Sequence, residues 1–255
     1  MMALDYAGET DVGRVRRENQ DRWYADPQQG LFLVADGMGG STNGKLAADA
    51  VAEVLPRLIR QRIQETADLA SPKAACELVR TVAELSDRLR KESQQHVVTR
   101  GIGSTVVLAL IRGGRARVVH LGDSRAYLLH HGRLRQLTRD HSLLQAMVET
   151  GVLSSEEATS HPARAQLTQF VGMPGVPVPP SELVALVPGD RLLLCTDGLY
   201  GRVDFDHLRA ALAQDRPSQE VCRSLVSAAM EAGGQDNITA LVVTAVSPSR
   251  SARAS

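Results

Sequence analysis

Three apolar runs in this sequence stop on an aspartate: LFLVADG at Asp36, RVVHLGD at Asp123 and RLLLCTDG at Asp197. A fourth aspartate, Asp236, stands just before another apolar run, ITALVV. Runs this short read as buried strands. A strand that ends in a carboxylate delivers it to the rim of a sheet, so four such strands could gather four hard oxygen ligands. That is the donor set that magnesium and manganese take. Two ions sharing a bridging carboxylate and a bridging water make a hydrolytic centre, because the shared water loses its proton more readily. Phosphate monoesters are substrates that need such help, with enzymatic accelerations up to about 10²¹-fold, and positioning plus charge neutralisation must supply most of it. An arginine is expected nearby, since its planar fork matches two phosphate oxygens. Arg16 and Arg17 lie shortly before Asp21, in a polar stretch between two strand patterns.

Any one of these features has a plainer explanation. An isolated Asp-Gly after a strand is most often a turn, and exposed arginines are most often solvated surface. Recurrence of the same residue at several strand ends is what raises the metal reading above the turn reading. A second candidate, GGSTNGK at 39–45, follows a strand, opens a helix and matches the spacing of a phosphate-binding P-loop through Lys45. The next residue is Leu46 rather than the serine or threonine that would hold magnesium, and Asp36 would crowd an anionic phosphate. A glycine-rich turn beside metal ligands is the better account of 39–45.

The surrounding pattern supplies the elements that must position these groups. Residues 3–35 read as strands joined by the polar loop GRVRRENQDR. Residues 43–65 and 72–95 read as helices, the second with Leu78, Val82, Leu85 and Leu89 on one stripe and with Ser71-Pro72 as cap and first residue. Strands follow in STVVLALI, ARVVHLG, RAYLLHH and RLRQLT, with hairpin signals at Gly113-Gly114 and Gly122-Asp123 and another turn at His131-Gly132. Residues 140–180 change character and end in a run rich in proline and glycine, as a surface insertion would. Strands return at 182–187 and 190–196, helices at 204–213 and 218–231, the latter stopped by Gly233-Gly234, and a last strand at 238–246. No linker or repeat divides the chain, so 1–246 reads as a single domain and 247–255 as a disordered tail. Runs of strands with segregated helices indicate an α+β layered fold.

Composition narrows the function class. The chain has 255 residues, 43% of them hydrophobic, and its 29 lysines and arginines equal its 29 aspartates and glutamates. Zero net charge does not favour a nucleic-acid or membrane-surface binder. Cys76, Cys195 and Cys222 are odd in number and widely spaced, which fits neither a disulfide framework nor a zinc site and suits a reducing, cytoplasmic setting. No stretch has the length of an apolar membrane span, and the N-terminus does not read as a signal peptide.

Taken together, the motifs resemble those of the metal-dependent protein phosphatases of the 2C type, the PPM family, in its short bacterial form. RRENQD (16–21), VADGMGG (34–40), GSTVV (103–107), GDSRAY (122–127), LTRDHS (137–142), HPARAQLT (161–168), CTDGL (195–199) and GGQDNITALV (233–242) occur in family order. The resemblance implies a four-layer α/β/β/α sandwich, two stacked antiparallel β-sheets flanked by helices, with the cleft at one end. It implies two core Mn²⁺ or Mg²⁺ ions and a third, weaker one. Asp36 would bridge the core pair, the Gly37 carbonyl would bind the second ion, and Asp197 and Asp236 would bind the first. Asp123, with Asp197, would form the third site. Asp21 would stand behind the ligands and hold water. Arg16 would bind the substrate phosphate, with Arg17 a weaker candidate, and 140–180 would be the flap beside the cleft. Met38 replaces the histidine that animal relatives carry as leaving-group acid, so water or the flap residue His161 would have to supply that proton. Gln20 replaces a glutamate found in some relatives, and Tyr200-Gly201 replaces the usual tryptophan and acidic residue.

The implied activity is hydrolysis of phosphoserine and phosphothreonine on proteins by a monomeric enzyme. It would reverse a Hanks-type kinase, with forkhead-associated proteins among the targets and type VI secretion as one possible setting. A catalytically weak relative serving as a binding module is the alternative, and retention of Asp36, Asp197, Asp236 and Arg16 argues against it.

Overall fold

The computed structural model describes residues 2–39, 43–63, 68–95, 101–154, 157 and 166–247. The strands are β1 (Ala3–Asp11), β2 (Asp21–Asp26), β3 (Leu31–Met38), β4 (Gly103–Ser104), β5 (Val106–Arg112), β6 (Arg115–Leu121), β7 (Arg125–His130), β8 (Arg133–Gln136), β9 (Ser181–Ala185), β10 (Arg191–Cys195) and β11 (Ile238–Val246). The helices are α1 (Asn43–Ile63), α2 (Pro72–Gln95), α3 (Leu143–Glu149), α4 (Asp197–Tyr200), α5 (Phe205–Leu212) and α6 (Ser218–Glu231). They form two antiparallel sheets, one in the order β1-β11-β10-β7-β8 and the other β2-β3-β5-β6-β9, with β4 paired to β3.

Strand periodicity explains the layers. Successive side chains point to opposite faces, and in the central strands both faces are apolar. In β3, Leu31, Leu33 and Ala35 pack with α1 and α2, including Leu55, Ile59, Leu78 and Val82. Phe32 and Val34 turn the other way, onto Leu192 and Leu194 of β10 and Leu241 and Val243 of β11. The reverse faces of those strands, through Leu193, Cys195, Ala240 and Val242, bury Leu208 and Leu212 of α5 and Leu225 and Ala229 of α6. The result is the expected α+β sandwich: helices, sheet, sheet, helices.

Local signals mostly act as expected. Ser71 Oγ accepts from Ala74 N at 3.2 Å, and the α2 stripe Leu78, Val82, Leu85 and Leu89 is buried. Gly113 and Gly114 both have positive φ (57° and 72°), as do His131 and Gly132 (47° and 75°), the conformation of tight hairpins. Cys195 and Cys222 are buried thiols and Cys76 is exposed; none is in a disulfide.

One expectation is overturned. Gly122-Asp123 is not a hairpin turn. β6 pairs with β5 and β9, whereas β7 pairs with β10 and β8, so the chain crosses there from one sheet to the other. Gly122 has φ +102°, and a Cβ on it would lie 2.6 Å from the Thr105 methyl. The glycine serves a close crossover, and Asp123 is left at the end of the sandwich with no ladder partner.

Candidate active site

The seam between the two sheets changes character along its length. In β2, Trp23 and Ala25 pack into it, and in β3 so do Phe32 and Val34. Two residues further along the same faces come Asp21 and Asp36, directly opposite each other in register. Leu194 of β10 is followed on that face by Thr196, and Leu241 of β11 is preceded by Thr239. The seam is therefore apolar through its length and polar at one end.

Asp21 is 1% exposed. Its Oδ2 accepts from Thr196 Oγ1 at 2.8 Å and Thr239 Oγ1 at 2.7 Å, while its Oδ1 is buried without a hydrogen bond. Asp36 is held through its main chain. Its carbonyl accepts from Thr105 N at 2.8 Å and Ser104 Oγ at 3.0 Å, and its N–H donates to Thr105 Oγ1 at 2.9 Å. Gly37 follows at the point where β3 meets the start of α1: a Cβ on it would sit 2.0 Å from the Gly44 carbonyl.

Asp197 opens α4, and Asp236 lies just before β11. They approach because Gly198 has no side chain; a Cβ there would stand 1.9 Å from the Asn237 carbonyl. Asn237 in turn fastens the 12–20 loop. Its Nδ2 donates to the carbonyls of Val12 (2.9 Å) and Glu18 (3.0 Å), and its Oδ1 accepts from Gln20 N at 2.9 Å. That loop carries Arg16, whose Nη2 donates to Asp236 Oδ2 at 2.7 Å. Arg17 is exposed beside it.

The electrostatics bind these groups into one set. Burial, and then the charges of Asp21, Asp197, Asp123 and Asp236, hold the Asp36 carboxyl well above its usual range. Burial also raises Asp21 to about 7, against the pull of its two threonine hydrogen bonds. Asp123 is pushed up to about 7 by burial and by Asp197. Asp197 is pushed to about 6 by burial and Asp236, with Arg16 opposing. The Arg16 guanidinium is stabilised in its charged form by its bond to Asp236. Four carboxyls that resist ionisation together form a site that gains from divalent cations.

All donors here are oxygens, the chemistry of Mg²⁺ and Mn²⁺. Among the described residues, no three His, Cys, Asp or Glu side chains close into a cage that would hold an ion unaided. Such a closed cage is not required, since Mg²⁺ keeps several waters and takes one or two carboxylates at a time. The unpartnered Asp21 Oδ1, aligned with Asp36 across the strand pair, fits a role toward such water.

Asp21, Asp36, Gly37, Asp123, Asp197, Asp236 and Arg16 are thus assembled at one end of the sandwich. Met38 sits in β3 opposite Gly103. His161 lies outside the described residues, as do 40–42 of the P-loop-like segment. Lys45 of that segment pairs with Glu18 at 3.6 Å. Sequence reasoning missed Thr196 and Thr239, which sit beside apolar runs and read as ordinary strand residues. It also missed the pair Arg125–Asp140, bidentate at 2.9 and 2.7 Å.

Comparison with known proteins agrees with this geometry. The profile of the family described as Protein phosphatase 2C matches residues 14–242. A serine/threonine phosphatase, stp, of Listeria monocytogenes is 34% identical over 238 residues, covering 92% of this chain and 93% of the relative. The catalytic domain of the serine/threonine protein phosphatase PstP, solved in complex with two manganese ions, superposes with a TM-score of 0.83 at 31% identity, covering 97% of this chain and 100% of that one. PppA, described as a key regulatory component of T6SS in Pseudomonas aeruginosa, gives a TM-score of 0.80 at 34% identity, covering 95% and 98%. The carboxylate-lined end of the sandwich, the arginine beside it and these likenesses lead to one assignment: this chain belongs to the protein phosphatase 2C family.

Proposed function

We propose that this protein is a Mn²⁺- or Mg²⁺-dependent phosphatase that removes phosphate from serine and threonine side chains of proteins. The observation that carries this reading is the placement of Arg16 against a set of mutually repelling carboxylates at the open end of the inter-sheet seam. Family membership and the manganese complex of a relative support it, and they leave the nucleotide-binding reading of 39–45 without support.

In this account Asp36 would be shared by the two core ions, the Gly37 carbonyl would hold the second, and Asp197 and Asp236 would hold the first. Asp123, with Asp197, would hold a weaker third. Divalent ions held there would supply a nucleophilic water at neutral pH and neutralise charge developing on the phosphoryl group. The chain's own residues do the rest. Arg16 leaves Asp236 and forks two phosphate oxygens, which orients the phosphorus. Arg17 adds positive potential at the entrance. Asp21, whose buried Oδ1 has no hydrogen-bond partner, would hold water behind the ions, with Thr196 and Thr239 fixing the carboxylate's rotation. The low-polarity seam behind these groups strengthens each interaction.

Residues 1–246 act as one catalytic domain in this reading, with 140–180 as a flap bordering the cleft. The substrates are phosphoproteins made by a Hanks-type kinase in the cytoplasm, forkhead-associated proteins among them. The description of the Pseudomonas relative supports type VI secretion as a setting. No helix among the described residues is long and apolar enough to cross a membrane.

Hydrolysis of para-nitrophenyl phosphate and of a phosphothreonine peptide, with Mn²⁺, with Mg²⁺ and with EDTA, tests the reading. Metal-dependent turnover of both is expected. A folded protein without turnover under either metal would leave the binding-module alternative standing.

A further inference from the structure

Asp123 has no sheet to aim it. It lies in the crossover between β6 and β7, after a glycine with positive φ. The bonds that fix this stretch come from elsewhere in the chain. The Tyr200 hydroxyl, at the end of α4, donates to the Asp123 carbonyl at 3.0 Å. The Arg125 guanidinium lies 3.7 Å above the centre of the Tyr200 ring. Arg125 is itself clamped by Asp140, Nε to Oδ1 at 2.9 Å and Nη2 to Oδ2 at 2.7 Å, and donates to the Tyr127 hydroxyl at 3.1 Å.

The next residue, His141, grips the other side of the crossover. Its N–H donates to the Gly122 carbonyl at 3.0 Å, and its Nδ1 accepts from Gly122 N at 3.2 Å. An accepting Nδ1 makes this a neutral imidazole with its proton on Nε2, consistent with burial lowering its pKa to about 4. His141 is also joined to a later part of the 140–180 segment, because its carbonyl accepts from Thr168 N at 2.8 Å.

We propose that Tyr200, Arg125 and Asp140 form a brace that positions Asp123, and that His141 ties this brace to the base of the 140–180 segment. These are positioning residues: each acts through Asp123 rather than on the substrate. A planar guanidinium locked by a bidentate carboxylate is a stiff platform, and it holds the tyrosine ring from one face. The hydroxyl then fixes the peptide of Asp123, whose carboxyl lies within electrostatic reach of Asp197. The proposal rests on the phosphatase reading, in which Asp123 serves the weakest of three ions.

Tyr200→Phe isolates the brace, since it keeps the ring and the ion pair and removes one hydroxyl. Mn²⁺ binding to the purified full chain, followed by calorimetry and by the spin resonance of free Mn²⁺, is the readout, with thermal melting as the folding control. The weakest binding step should weaken about threefold to tenfold, the range for one lost hydrogen bond, and the tighter steps should not change. Asp140→Asn should weaken the same step further. KM for a phosphothreonine peptide at saturating Mn²⁺ should stay at the wild-type value. In an Asp123→Asn background, Tyr200→Phe should cause no additional loss.

A folded Tyr200→Phe protein with wild-type affinity at every step overturns the brace, as does a loss that adds fully to that of Asp123→Asn. If the wild type binds no Mn²⁺, the phosphatase reading fails and the brace with it. Wild-type binding with an unaltered variant removes the brace alone.

Discussion

The Arg16 guanidinium donates to Asp236 Oδ2 at 2.7 Å, so in the proposed site one carboxylate would partner both the phosphate-recognising cation and a metal. The two roles compete, which gives substitutions at Arg16 opposite effects on the two ligands. Arg16→Ala should lower kcat/KM for a phosphothreonine peptide about tenfold to hundredfold, the range for a charged hydrogen-bonding partner. The same substitution frees Asp236, and Mn²⁺ affinity should rise up to about fivefold, as for loss of an exposed ion pair. Steady-state kinetics and calorimetry check the two halves. Arg17→Ala, which breaks no such contact, should change kcat/KM less than about threefold.

Asp21 should trade stability against activity. Its carboxyl is raised from 3.8 to about 7, chiefly by burial, so at neutral pH the folded protein carries a charge it disfavours. Asp21→Asn keeps the shape and removes the charge. In EDTA at pH 7 the variant should melt about 2–4 °C above wild type, while its Mn²⁺-dependent turnover falls. A lower melting temperature would show that the two threonine hydrogen bonds outweigh the desolvation.

The pH dependence of the metal-free protein follows with a definite sign. Asp21 and Asp123 ionise near 3.8 when unfolded and near 7 when folded, so the folded state binds more protons across that interval. Stability must then fall as pH rises from about 4 to about 7. Melting curves in EDTA should show this fall, and Mn²⁺ should reverse it at pH 7, because it binds the ionised carboxylates of the folded state.

Gly198→Ala tests how Asp197 and Asp236 are brought together. The added Cβ would stand 1.9 Å from the Asn237 carbonyl, a main-chain atom. Asn237 holds the 12–20 loop through three hydrogen bonds, so its displacement moves Arg16 as well. A destabilisation of about 1–3 kcal/mol is expected, with turnover reduced more than tenfold, roughly the effect of lost alignment in a positioned site. Urea unfolding and steady-state assay measure both.

How far the site could be read from residues alone depended on what each residue's neighbours were. Asp36, Asp123 and Asp197 stood out because apolar strands lead into them, and the bounds of α2 and α6 followed from caps and stripes. Asp21 follows no apolar run, and only the family resemblance marked it. Thr196 and Thr239 were hidden for a different reason: a hydroxyl at the end of an apolar strand is unremarkable until register places two of them on one carboxylate. Gly122-Asp123 was misread because a positive-φ glycine serves a hairpin and an inter-sheet crossover equally well. Which sheet the next strand joins is decided by pairing with β10, about sixty residues later. The Tyr200, Arg125 and Asp140 contacts are likewise long-range, and no local pattern reports them.

The central claim is that the bridging role of Asp36 makes this cleft a metal-dependent phosphatase. Its most direct test is turnover of a phosphothreonine peptide by wild type and by Asp36→Asn, each at saturating Mn²⁺ and in EDTA, with folding verified by melting. The account predicts Mn²⁺-dependent turnover in the wild type, abolished by EDTA, and a loss of at least about 100-fold in the variant. A folded Asp36→Asn protein that keeps turnover within about threefold of wild type, a change too small for loss of a transition-state contact, would contradict it.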